Sequence, residues 1–169
     1  GATAGTATYT ITPTSPAGCA GTPINVIVTV NPRPTATATP ASQTICSGAT
    51  TSVALTSNVA GTTFAWTVVQ SGVSGAAAGS GNSIAQTLTA TGATAGTATY
   101  TITPAANGCT GTPITVVVTV NPRPVATATP ASQTICSGAT TSVALTSNVA
   151  GTTFAWTVVQ SGVSGAAAG

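Results

Sequence analysis

Apolar and small polar residues alternate along most of the chain, in short stretches that clusters of Gly, Pro, Asn and Ser separate. The stretches are rich in Val, Ile, Thr and aromatic residues: SVALTS at 52–57, TTFAWTVV at 62–69, SIAQTLTA at 83–90, GTATYTITP at 96–104 and TPITVVVTV at 112–120. A period of two is typical of β-strands, and no segment keeps the 3.6-residue period of an amphipathic helix. Together with TATAT at 35–39, the pattern predicts the six or seven strands of a small two-sheet sandwich.

The apolar residues of each predicted strand fall on one of its faces, because side chains of alternate strand residues point the same way. We expect four of these residues to be buried together: Leu55, Trp66, Tyr100 and Val118. Trp66 is interpreted as the core aromatic residue of a central strand, since a large aromatic side chain within an alternating strand is far more often packed than used for binding.

The chain repeats itself. Residues 31–79 recur at 121–169 with one change, Thr35 to Val125, and residues 1–13 recur at 92–104. This repeat predicts a tail segment (residues 1–30, the C-terminal part of one repeat), a central module (residues 31–120, one complete β-sandwich) and a head segment (residues 121–169, the N-terminal part of the next repeat). A segment like SGNSIAQTLTAT, at 80–91 of the central module, has no copy in the tail or the head.

Charged side chains are nearly absent, because the chain holds two arginines, Arg33 and Arg123, and no Asp, Glu, His or Lys. Two isolated charges cannot form the basic patch that nucleic-acid binding needs, and no unbroken apolar run is long enough to span a membrane. General acid-base catalysis and calcium binding lack their usual groups. We therefore predict no enzyme activity, no catalytic, cofactor-binding or metal site, no small-molecule substrate, no nucleic-acid partner and no membrane insertion.

Four cysteines lie at positions 19, 46, 109 and 136 without a CxxC spacing, which favours disulfides over a zinc site. One pairing joins Cys46 to Cys109 within a module, and Cys136 to Cys19 of a neighbour. The alternative is a bridge between adjacent modules, since a simple immunoglobulin-like strand order places the two cysteines of a module at opposite ends. We predict the pairing within the module.

The modules are joined by the sequence VTVNPRP, in which a strand runs directly into Asn31-Pro32-Arg33-Pro34. Proline fixes its own backbone angle and favours an extended preceding residue, so the linker is short and stiff and successive modules are expected to stack as a rod. We interpret the two arginines as solvated linker residues. Contacts between neighbouring rods are the alternative.

The motifs QTICSGATTSVALTSN, TTFAWTV and TATYTITPAANGCTGTPITVVVTVNPRP resemble the PKD-like or immunoglobulin-like repeats found in tandem in surface and secreted proteins of Bacteroidetes, many of them exported by the type IX route. The resemblance covers the whole chain. It implies an all-β fold of tandem immunoglobulin-like (PKD-like) β-sandwiches of about 90 residues, used as extracellular spacers in adhesins, gliding-associated proteins and surface fibres.

We expect a structural protein that forms a rod or filament at the cell surface. Each partial repeat alone would expose an apolar face and open strand edges, so we expect the head of one copy to meet the tail of the next. The two are either pieces of one longer polypeptide or separate chains that complete a shared sandwich by strand addition. An adhesin module that binds a glycan or another surface is the main alternative, and ice binding through TATAT is a weaker one.

Overall fold

The computed structural model describes all 169 residues, which form sixteen β-strands and no helix. The tail segment holds β1 (Gly5–Ile11) and β2 (Ile24–Val30), and the head segment holds β15 (Ala126–Thr129) and β16 (Ala144–Ser147). The other strands belong to the central module: β3 (Ala36–Thr39), β4 (Ser42–Cys46), β5 (Ala49–Thr50), β6 (Val53–Ser57), β7 (Thr63–Ser71), β8 (Val73–Ser74), β9 (Gly79–Ser80), β10 (Ser83–Ile84), β11 (Thr87–Ala90), β12 (Gly96–Ala106), β13 (Cys109–Thr110) and β14 (Ile114–Asn121).

The larger sheet of the central module has the strand order β4-β14-β12-β7-β9, with the short β13 paired to the end of β12. Its centre is an antiparallel hairpin of β12 and β14, in which Gly96 faces Val120 and Ile102 faces Ile114. β7 runs antiparallel along the other edge of β12. β4 pairs with β14 in the parallel direction and closes one side of the sheet.

Two smaller sheets pack against the hairpin to form the second layer of the sandwich. Their strand orders are β10-β6-β3 and β5-β11-β8, and strands β3, β8 and β11 contact the β12–β14 hairpin. The immunoglobulin-like β-sandwich expected from the sequence is therefore present.

One cluster of thirteen buried apolar residues fills the space between the layers. Leu55, Trp66, Tyr100 and Val118 all belong to it, so the predicted core is confirmed. Trp66 retains only 7% of its surface exposed, which agrees with its interpretation as a core aromatic residue.

Two details of the strand prediction are wrong. The stretch SIAQTLTA forms two strands, because Gln86 lies between β10 and β11 and the chain crosses there from the β6 sheet to the β5 and β8 sheet. The backbone N–H of Gln86 donates a hydrogen bond to the Thr51 hydroxyl at this crossing. The sequence pattern also missed β4, whose pairing with β14 is long-range in sequence.

Every buried residue of the chain lies between Pro34 and Val120. The tail and the head segments each carry one hairpin whose apolar residues stay exposed or only half-buried. The buried core, and the stability that apolar burial supplies, therefore belong to the central module.

Matched substitutions in the repeat test this uneven distribution of stability. Ile102 is fully buried, whereas Ile11, its counterpart in the tail, is 49% exposed. We expect Ile102→Ala to lower the free energy of unfolding by about 2–5 kcal/mol, and Ile11→Ala to change it by less than about 0.5 kcal/mol. Urea unfolding of the dilute chain, followed by Trp66 fluorescence, measures both. Equal losses of unfolding free energy in the two variants would contradict the conclusion that the stabilising core lies in the central module.

Candidate assembly faces and module junctions

The tail segment contains a copy of the hairpin at the centre of the larger sheet. In the tail, Gly5 faces Val30 and Ile11 faces Ile24, which is the register of β12 with β14. The copied strands have the same alternation of apolar residues, but nothing covers them: Tyr9 is 58% exposed, whereas its counterpart Tyr100 is fully buried. The tail is therefore a preformed sheet centre with an open apolar face.

The head segment contains a copy of the part that surrounds this hairpin. β15 and β16 pair in the register of β3 with β6. The Trp156 indole nitrogen donates to the carbonyl of Ala167 over 3.2 Å, as the Trp66 nitrogen does to Ala77. Trp156 is nevertheless 53% exposed, because no β12–β14 hairpin lies against it.

Two segments of the head have the sequence of strands but not their structure. Residues 132–136 and 153–161 correspond to β4 and β7, and neither forms a strand. In the central module, β4 and β7 are the strands that pair with β14 and β12. The two head segments without strand structure are therefore the ones that would pair with a hairpin like that of the tail.

A cavity of about 380 Å³ in the head is lined by Thr141, Val143, Leu145 and Trp156. In the central module, β10 occupies the corresponding place, since Ile84 pairs with Val53 and accepts a hydrogen bond from the Thr51 hydroxyl. The cavity therefore lies at the place that β10 occupies in the central module.

A network of uncharged polar groups ties the core of the central module together. The Tyr100 hydroxyl donates to Gln86 Oε1 over 2.8 Å, and Gln86 Nε2 donates to the carbonyl of Ala77 over 2.8 Å. The Ala77 carbonyl also accepts from Trp66. This role of Gln86 was not predicted, and the signal that points to it is a glutamine inside the apolar stretch SIAQTLTA.

The junction before the central module is held by contacts between its linker and the β12–β13 turn. Asn31 Nδ2 donates to the Asn107 carbonyl over 2.9 Å, and Arg33 Nε donates to the Thr110 carbonyl over 3.1 Å. Gly111 lies directly against the linker, and a Cβ at this position would overlap with the Pro34 carbonyl oxygen. The linker is therefore fixed to the module that follows it.

The linker that follows the central module is held by contacts with Ser47, which comes directly after β4. The Ser47 amide donates to the Asn121 carbonyl over 2.7 Å, and Arg123 Nε donates to the Ser47 carbonyl over 2.8 Å. Both arginines therefore bind backbone carbonyls at the ends of the central module, rather than serving only as solvated linker residues.

All four cysteines are free, and the predicted bridge between Cys46 and Cys109 is wrong. Cys46 lies level with Asn121 at one end of the larger sheet, and Cys109 lies level with Ala106 at the other. The ten residues of β12 between these ends span about 33 Å, far beyond disulfide reach. The pairing of Cys136 with Cys19 of a neighbour stays a prediction, and the same separation of the two positions in a completed module argues against it.

No three His, Cys, Asp or Glu side chains lie close enough together to hold a metal ion. The structure contains no helix long and apolar enough to cross a membrane.

Comparison with known protein families gives one match. The family model for the PKD-like domain matches residues 1–34 and 43–124, which include the tail hairpin, both junctions and most of the central module. No curated protein and no solved structure matches the chain.

The buried hydroxyl of Tyr100 predicts how stability depends on pH. Burial raises the pKa of Tyr100 above its ordinary value of 10.0, so the phenol ionises more readily in the unfolded chain. The free energy of unfolding is then highest below pH 10 and falls as the pH rises from about 10 through the pKa of the folded state.

We expect Tyr100→Phe to lower the free energy of unfolding by about 1 kcal/mol at neutral pH, because it removes the hydrogen bond to Gln86. Above pH 10, we expect the free energy of unfolding of this variant to fall less steeply than that of the unaltered chain. Tyr9→Phe is the control, since Tyr9 is exposed. Urea unfolding between pH 7 and 12, in the presence of a reductant, measures the difference. An unchanged alkaline fall in Tyr100→Phe would contradict the prediction.

Proposed function

The chain belongs to the PKD-like domain family, and from this premise we propose that it is a structural repeat module of an extracellular rod or filament at the bacterial surface. PKD-like domains are typically extracellular or surface modules and are generally not catalytic. Copies associate with one another: the head segment of one copy is completed by the tail segment of the next.

One observation carries this proposal. The tail holds a hairpin whose register matches that of β12 and β14. In the head, the two segments that correspond to β4 and β7 do not form strands. Each segment therefore has what the other lacks. Bringing the two segments together would pair their open strand edges and cover both apolar faces. Open strand edges and large exposed apolar patches both favour such association.

The charge distribution supports the same arrangement. Neither apolar face contains a charged side chain, so covering them requires no desolvation of charge. With a net charge of +2 on 169 residues, neighbouring copies repel one another only weakly. The junction contacts fix one linker to the start of the central module and the other to its end, which supports a stiff rod over a flexible string.

Adjacent residues on opposite faces of β2 provide a matched test of assembly. Val28 corresponds to the fully buried Val118, whereas Ile27 corresponds to Val117, which stays 39% exposed in the central module. We expect Val28→Asn to weaken association at least about tenfold, because it buries an amide without partners. Ile27→Asn is expected to change association less than about threefold, since the residue stays at the surface.

The shift of Trp156 fluorescence with chain concentration measures this association, and Trp156→Phe serves as the blank because it leaves only the buried Trp66. Electron microscopy of the same samples shows whether rods form. The proposal fails if Trp156 remains as accessible to quencher at high concentration as at low, with no rods present.

The missing stretch provides a second test. We expect a synthetic peptide with the sequence of residues 80–91 to strengthen association, because the counterparts of Ile84 and Leu88, both fully buried in the central module, fill the cavity beside Trp156 by strand addition. A peptide with asparagine in place of that isoleucine and leucine is the control. Equal effects of the two peptides would argue against strand complementation.

A further inference from the structure

The two cysteine positions of the repeat lie beside the linkers at opposite ends of the central module. The Cys109 sulfur lies 3.9 Å from the carbonyl oxygen of Asn31, in the linker that enters the module. At the other end, Cys46 precedes Ser47, whose amide donates to the carbonyl of Asn121, in the linker that leaves it, over 2.7 Å.

Asn31 and Asn121 are the same position of the repeat. At a junction between two complete modules, one asparagine carbonyl therefore lies next to both cysteine positions: the Cys46 position of the module before and the Cys109 position of the module after. Combining the two observed contacts places the Cα of the first within about 9 Å of the sulfur of the second, given standard backbone dimensions.

The arginine of the linker gives an independent sign of the same proximity. Arg123 donates to the carbonyl of Ser47, which follows Cys46, and Arg33 donates to the carbonyl of Thr110, which follows Cys109. Because the two arginines are also one position of the repeat, the carbonyls that follow both cysteines lie within reach of the same Nε–H, which donates to one of them at a time.

From this convergence we propose that a disulfide crosses every module junction, from the Cys46 position of one module to the Cys109 position of the next. The proposal rests on the proposed function, in which a neighbouring copy completes the partial repeats. Between copies, Cys46 then pairs with Cys19 of the next copy, and Cys136 pairs with Cys109 of the next copy. This is the connectivity between modules, and it differs from the pairing within a module that the sequence favoured.

The bond forms by thiol–disulfide exchange with an oxidised thiol compound or a disulfide oxidoreductase. The two cysteine thiols give up two protons and two electrons and form one S–S bond, and the disulfide of the oxidant is reduced to two thiols. Oxidising extracellular conditions preserve such a bond. Each bridge would prevent the junction from bending and would join neighbouring copies covalently.

Variants that each keep two cysteines test the connectivity with equal numbers of thiols. Cys109→Ser with Cys136→Ser leaves Cys19 and Cys46, and Cys19→Ser with Cys46→Ser leaves Cys109 and Cys136. The control, Cys46→Ser with Cys109→Ser, leaves Cys19 and Cys136. Each assembled variant is treated with oxidised glutathione and run on denaturing gels with and without reductant, while electron microscopy records whether rods are present.

We expect the first two variants to give ladders of linked chains that reductant collapses to the single-chain mass, and the control to run as single chains. A ladder in the control overturns the proposal, because it indicates either the rejected pairing or random cross-linking. Rods without ladders in the first two variants overturn the bridge and leave the proposed function intact. If no variant forms rods or ladders, the proposed function fails and the bridge fails with it.

Discussion

The pairing of the β12–β14 hairpin with its neighbours determines which other segments of the repeat become strands. Residues 31–79 and 121–169 have the same sequence apart from positions 35 and 125, yet the segments that form β4 and β7 in the first copy are not strands in the second. Local propensity is identical, so the difference comes from the partner. Strand formation here depends on a hairpin that arrives from later in the sequence, as expected where context dominates β-propensity.

The near absence of acidic and basic side chains changes how the sandwich satisfies its polar groups. Thr51, Gln86 and Tyr100 link the layers through neutral hydrogen bonds, and no buried side-chain nitrogen or oxygen lacks a partner. Neutral bonds of this kind are not screened by salt, in contrast to surface ion pairs. The fold of the central module therefore relies on apolar burial and on complete hydrogen bonding of its buried side chains.

The sequence was sufficient for the features that depend on local pattern and on the repeat. Alternation identified β7, β12 and β14 and the burial of Trp66, and the match of Val28 to Val118 located the open face of the tail. It was insufficient for features that depend on which strands become neighbours. The parallel pairing of β4, the crossing at Gln86 and the placement of Cys46 and Cys109 at opposite ends of the larger sheet follow from topology, which alternation does not encode.

The junctions explain why a chain with so few charges has one in each linker. An arginine donates through a planar group with several N–H bonds, so it can bind carbonyls without needing an acidic partner. Arg33 does this at the start of the central module and Arg123 at its end. The linker sequence NPRP recurs at 31–34 and at 121–124, so each junction presents the same asparagine and arginine to the modules on either side of it. In the proposed rod, an angle fixed at one junction would be repeated at the next.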